Sequence, residues 1–198
     1  MFLAINLALL IAALAVATAA AILPLLALLT PLLALPAAVL MRLAVAAARE
    51  DAPSWRMART ELRRLPGRKL GLATAQLVVL GLGLLNLSLG PGMGGIAGVA
   101  VTIVAGYAIL AVSVYAVPLW SIVCDPQREG PLRDQLRLAL ALVLLRPVHV
   151  AVLAVITVLA VLVSIQLVVP ASFLPSLVML AIAAYVVDHG DRLRIVQP

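Results

Sequence analysis

Charge is what this sequence has least of: 14 Lys and Arg with 8 Asp and Glu make 11% of its 198 residues, against 65% hydrophobic. Soluble domains carry about 25% charged and about 45–50% apolar residues. So few charges cannot cover so much apolar surface in water, so a soluble fold is excluded and lipid becomes the expected solvent. Acidic residues are scarcer than basic ones, giving a formal net charge of +6. In a soluble protein that surplus would suggest nucleic acid. Here each basic residue adjoins a hydrophobic run, so membrane lipids with anionic headgroups are the expected partner and nucleic acid is not.

Cysteine is nearly absent as well. The single Cys124 rules out an internal disulfide and any Cys-based metal centre. There is no Ser-His-Asp arrangement, phosphate loop or HExxH motif. No catalytic residue, cofactor-binding residue or metal ligand is therefore assigned, no cofactor is expected, and the chain does not read as an enzyme. Asp188, His189 and Asp191 stand close together but read as a flexible, solvated tail, and His149 reads as an interface residue beside Arg146. A carboxylate or lysine at mid-membrane depth would mark an ion path, and the later hydrophobic runs hold none.

What is present is a succession of apolar runs separated by two polar loops. The fold class this implies is an all-α, polytopic transmembrane helical bundle of about six spans in three hairpins, with short cytoplasmic amphipathic helices, in a bacterial inner membrane. Residues 1–41 carry no charged side chain; as one helix they would reach about 60 Å, twice the hydrocarbon thickness. Pro24, Pro31 and Pro36 interrupt the run, so residues 1–48 read as a hairpin with spans near Leu3–Leu23 and Pro31–Ala48. One tilted span plus a re-entrant stretch is the alternative. No positive region precedes the run and it continues past Leu40, so it reads as retained rather than as a signal peptide.

Residues 49–69 form the first polar loop and hold seven of the fourteen Lys and Arg. Basic residues stay on the cytoplasmic side, which orients the chain. Within the loop Ser54 can cap a helix that Pro66-Gly67 ends. On that helix Trp55, Ala58, Leu62 and Leu65 share one side, while Arg56, Arg59 and Arg63 occupy the other. This predicts an interfacial helix with its apolar face in the membrane and its arginines among the headgroups or against a partner. A solvated loop is the alternative.

Residues 70–123 give a second hairpin, turning at the uncharged GPGMGG of residues 90–95. Gly98, Thr102 and Gly106 recur at four-residue spacing, a pattern that lets a neighbouring helix approach closely. Residues 124–146 are a second cytoplasmic, interfacial segment that Pro147 divides from the next span. Residues 147–187 form the third hairpin, and residues 188–198 the cytoplasmic tail. Pro66 to Pro91 and Pro147 to Pro170 repeat one order of features, as duplicated halves or any two hairpins under the positive-inside rule would. Gln76 and Gln166 are the polar residues that could line a pocket between such halves.

The order of these features resembles the YesL-like family of small bacterial membrane proteins of unknown function. Asn6-Leu7, the Pro36-Ala37-Ala38-Val39-Leu40 entry to the second helix, Trp55-Arg56 with Arg63 and Leu65, and Tyr115-Ala116-Val117-Pro118-Leu119 carry the likeness. The resemblance implies a noncatalytic protein, accessory or regulatory to a carbohydrate import system, with an import complex or a second copy of itself as partner. A small secondary transporter or facilitator is the alternative.

Overall fold

The computed structural model describes residues 1–22, 24–64, 66–166 and 174–196, with side chains for all of these except 19–22, 24–28, 161–162, 164–166 and 193–196. Every regular element among the described residues is helical. In order these are α1 (Phe2–Ile22), a 3-10 helix (Pro24–Leu33), α2 (Ala34–Ala48), α3 (Trp55–Arg63), α4 (Pro66–Met93), α5 (Gly95–Val123), a 3-10 turn (Pro126–Arg128), α6 (Leu132–Leu145), α7 (Pro147–Gln166) and α8 (Leu174–Val196).

The Ala-rich helix α2 is the centre of the bundle. Small side chains let α8, α3, α1 and α4 lie close to it, and Leu40, Leu43, Ala44, Val45 and Ala46 are wholly buried. Half of the stretch Leu29–Ala48 is buried, against 11% of α4 and α5. Those two helices therefore expose most of their apolar surface, displaying Val78, Leu82, Leu85, Leu89, Val99, Ile103, Val104 and Leu110. An exposed surface this apolar is stable only in a hydrocarbon solvent.

Among the described residues three helical runs are long and apolar enough to cross a membrane: Leu29–Ala48, Pro66–Met93 and Gly95–Val123. The bent pair Leu132–Leu145 and Pro147–Ala160 makes a fourth if taken together. This is fewer than the six expected. The first helix is described as apolar only over Phe2–Thr18. In α8 the apolar stretch gives way to Asp188, Asp191 and Arg192 without a break in the helix. The division at Pro147 is as expected: a ring without an N–H, after Arg146 has left helical geometry, lets α7 turn through 103° from α6.

One placement differs from the sequence-based expectation, and two others add to it. The turn of the second hairpin is not GPGMGG but Gly94-Gly95, whose φ values of 64° and 59° need glycine, while Gly90 to Met93 stay helical. Near the prolines expected to turn the first hairpin, the chain forms a 3-10 helix that holds Pro24 and Pro31, and Pro36 lies in the first turn of α2. Finally, Ile5 packs with Val39, Leu40 and Leu43, and Asn6 donates to the hydroxyl of Ser176, 2.7 Å away. Ala58 of α3 belongs to the same cluster as Ile5, with Met1, Phe2 and Met57 packed against it, so the start of α1 lies beside α2 and α3.

Candidate functional site: a charged layer and an arginine-edged helix

The polar loops fold against the ends of α2 and α8 into two linked ionic clusters. In the first, Arg49 reaches Asp125 at 2.6 Å and Asp191 at 3.1 Å, while Arg128 reaches Asp191 at 2.6 Å and lies 3.3 Å from Asp125. The four side chains alternate in sign around a ring. Arg128 also donates to the carbonyls of Val186 and Val187, two successive residues of α8. In the second cluster Lys69 Nζ sits 2.7 Å from a carboxylate oxygen of Glu61. Arg64 bridges Glu61 and Glu129.

The segment 126–135 joins the two clusters. Gln135 donates to the Arg128 carbonyl at 2.7 Å and accepts from Arg68 at 2.7 Å, and Arg68 also donates to the carbonyl of Gly130. Glu61, Lys69, Asp125 and Arg128 are each 2% exposed or less. Charges so deep persist only when paired and hydrogen-bonded. Gly190 completes the fit, because a Cβ there would fall 2.6 Å from Arg128 Nη2. The tail is thus a clamped helix end rather than the flexible, solvated segment expected.

These pairings set the titration of the ring. Burial pulls the Arg49 guanidinium down, but Asp125 and then Asp191 outweigh it and hold its pKa above the ordinary value. Burial likewise pushes the Asp191 carboxyl up, yet Arg128 and Arg49 hold it below its ordinary 3.8. A carboxylate depressed in the folded state contributes stability above its unfolded pKa and loses it as pH falls through the folded one. We expect wild type to exceed Asp191→Asn in thermal stability at neutral pH, and the gap to close as pH falls below about 4. A gap that stays constant down to about pH 2 would show that Asp191 is not held by its charge. Burial also pushes the Cys124 thiol up to about 12, so it remains protonated and unreactive.

Helix α3 lies on this layer. Ser54 caps it as expected, its hydroxyl accepting from the Met57 amide. The apolar side of the helix is divided between the protein interior and the surface. Ala58 and Glu61 point into the protein, Ala58 against Leu40 and Leu43, while Trp55 and Leu62 are 56% and 47% exposed. The reason is angular: Ala58 is about 60° from Trp55 around a helix, and the edge of the packing falls between them. Leu65 lies outside the described residues. Trp55, Arg56, Arg59, Thr60 and Arg63 line an outer groove of about 650 Å³. Among the described residues none of these three arginines has an ion-pair partner, whereas Arg49, Arg64, Arg68, Lys69 and Arg128 all have polar partners.

The other residues singled out from sequence separate. A Cβ on Gly98 would meet the Gly90 carbonyl oxygen of α4, and Thr102 Oγ1 donates to the Gly98 carbonyl at 2.8 Å. A Cβ on Gly106 would meet nothing within 4 Å, so Gly106 is no part of that contact. Eight residues turn a helix through about 80° beyond two full circles, whereas seven leave it about 20° short. Hence Ala105, not Gly106, is buried on the face of Gly98. Gln76 accepts from the indole of Trp120 at 2.8 Å and ties α4 to α5. The side chain of Gln166 lies outside the described residues.

An apolar cavity of about 350 Å³ opens among α2, α4, α5, α7 and α8. Its walls include Met41, Trp120, Thr157 and Ile182, but not Gln76 and no ionisable side chain. His189 Nδ1 lies 3.4 Å from Asp188 while Asp191 is drawn into the ionic ring, and no metal-holding group of three occurs among the described residues. Instead His189 stacks on Tyr185, ring centroids 4.5 Å apart, with His149 on the other side at 6.2 Å.

Comparison with family models, with curated proteins and with solved structures finds no match. The ionic ring was missed by sequence reasoning. The available signal was the scarcity of acid: all eight carboxylates fall in the polar segments, and half of them join the two clusters.

Proposed function

We propose that this chain is a noncatalytic, multi-pass protein of a bacterial inner membrane, of the YesL-like kind it resembles, accessory or regulatory to an import complex. One observation carries the reading. Five basic residues are consumed in holding the charged layer together, while Arg56, Arg59 and Arg63, on the outer side of α3 beside Trp55, are left unpaired along a groove. A rigid helix edged with free guanidinium groups suits an acidic surface. The charged layer faces the cytoplasm, and six crossings follow if α1, α7 and α8 are added to the three long runs. Reporter fusions at Met1 and Pro198 should both read cytoplasmic; a periplasmic N-terminus leaves five.

Affinity purification in mild detergent tests the accessory role. Wild type should bring down a stoichiometric membrane import complex, and Arg59→Glu/Arg63→Glu should lose it while eluting as a folded protein. Recovery of the same complex by both sinks the role assigned to α3. The second reading is a facilitator for an apolar molecule, favoured by the cavity of about 350 Å³ whose lining has no ionisable group. Purification as a homo-oligomer alone shifts the weight to it.

A further inference from the structure

Beside the outer groove, and sharing Arg56 and Thr60 with it, a second cavity of about 350 Å³ opens between Arg42 of α2, the helix α3 and the 126–129 turn. Arg42, Ser54, Arg56, Thr60, Arg64 and Glu129 line it, with Glu61 at its wall. Its charges do not cancel. Glu61 is neutralised by Lys69, and Arg64 faces Glu129, so both carboxylates are accounted for. Arg42 and Arg56 remain, and among the described residues neither guanidinium has a hydrogen-bond or ion-pair partner. Ser54 Oγ already accepts from the Met57 amide, so its proton is free to be donated. The cavity therefore offers two guanidinium forks and a hydroxyl donor to an occupant rich in acceptors.

We propose that this cavity is a binding site for the phosphodiester headgroup of an anionic phospholipid, held between Arg42 and Arg56 with Ser54 as a further donor. Two arguments point to a phosphate ester. Paired guanidinium groups match its oxygens in a forked geometry that a single lysine cannot reproduce. The tetrahedral ester also spreads its acceptor oxygens out of one plane, toward donors on different sides, where a carboxylate keeps its two oxygens in a plane. Depth argues for a lipid as the source. Arg42 precedes Arg49 of the ionic ring by seven residues, about 10 Å along α2, which puts it at headgroup level when the charged layer lies at the membrane surface. Leu62 and Trp55, outside the cavity itself, stand exposed on the same short helix, where acyl chains of a bound lipid can lie against them. Basic pockets between helices at the cytoplasmic face hold anionic headgroups in this way. The inference rests on the membrane orientation proposed above, and not on any protein partner.

The test is binding of short-chain phospholipids to full-length protein in mild detergent, read by thermal shift and titration. Dioctanoyl phosphatidylglycerol should bind saturably, and Arg42→Gln/Arg56→Gln should weaken it about thirtyfold, the loss expected of two basic residues at a membrane surface. Arg59→Gln/Arg63→Gln, which alters only the outer groove, should leave it within about twofold. Equal weakening by both pairs would mean diffuse attraction to a basic surface and overturn the site. Equal binding of dioctanoyl phosphatidylcholine would remove its selectivity for anionic lipid. Glycerol phosphate or inorganic phosphate binding as tightly as the lipid would make it a site for a soluble phosphate instead. Arg59 and Arg63 carry the test of protein association while Arg42 carries this one, so either reading can fail alone. Circular dichroism and elution volume check that the pocket variant is folded; if it is not, Ser54→Ala with Arg42→Lys should still weaken the lipid by reducing its donors.

Discussion

Arg128→Ala will be recovered in much lower yield than wild type, and the folded fraction will unfold at lower temperature. Arg128 is 2% exposed and serves two carboxylates and two carbonyls of α8 at once. Its removal leaves Asp125 buried opposite Arg49 alone and frees the end of α8. Breaking a buried ionic arrangement by deleting one member costs about 3–5 kcal/mol, a large part of the stability of most domains. Gly190→Ala should act in the same direction by displacing the guanidinium, since Arg128 has no open space into which to retreat. Arg133→Ala, on the exposed side of α6, should change stability by less than about 0.5 kcal/mol. Chemical or thermal unfolding in detergent measures all three, and equal stability of Arg128→Ala and Arg133→Ala would remove the ring from the account.

The second large effect lies at the far end of the α4–α5 hairpin. Gly98→Leu should destabilise the protein severely, because even a Cβ at that position meets the Gly90 backbone. Backbone, unlike a side-chain tip, cannot swing aside, so the helices must part. Overpacking of this kind costs about 1–3 kcal/mol or more. The same substitution at Gly106 should be tolerated, there being nothing within 4 Å of its Cβ position. Thermal stability of the two variants side by side decides the matter, and a larger loss at Gly106 would contradict the packing.

What the sequence made legible was local. The Ser54 cap, the break at Pro147, the long apolar helices α4 and α5 and the helix at Trp55 each follow from a few neighbouring residues. Partnerships between distant segments did not show. Arg49 reaches Asp125 across 76 positions and Asp191 across 142, and no periodicity links residues so far apart. A polar tail with two Asp, a His and two Arg reads as solvated because those side chains are expensive to bury alone. What reverses this is the presence of Arg49 and Arg128, brought there by two other loops. The Gly98–Thr102–Gly106 stripe failed at its end for a smaller reason. Four-residue steps drift around a helix of 3.6 residues per turn, so the third member leaves a face the first two share.

Resemblance at the level of loop order likewise points to a topology but not to the charged layer, whose members are spread over both loops and α8. Tyr115 is an example. It stands in the stretch that carries the family likeness, and in the fold it donates to the carbonyl of Leu136, tying α5 to the first turns of α6. The residue was visible in the sequence, but its task was not.

That both polar loops close together over one end of the bundle is the central claim, and a cross-link tests it most directly. Arg64 lies in the first loop and Glu129 in the second, with their side chains in contact. With cysteines at these two positions and Cys124 replaced by Ser, a short bismaleimide should join them within one chain in native membranes. Intact mass should then show one bridging linker per protein. Two linkers on every chain, each attached at one end only, would mean that the loops lie apart and would contradict the charged layer.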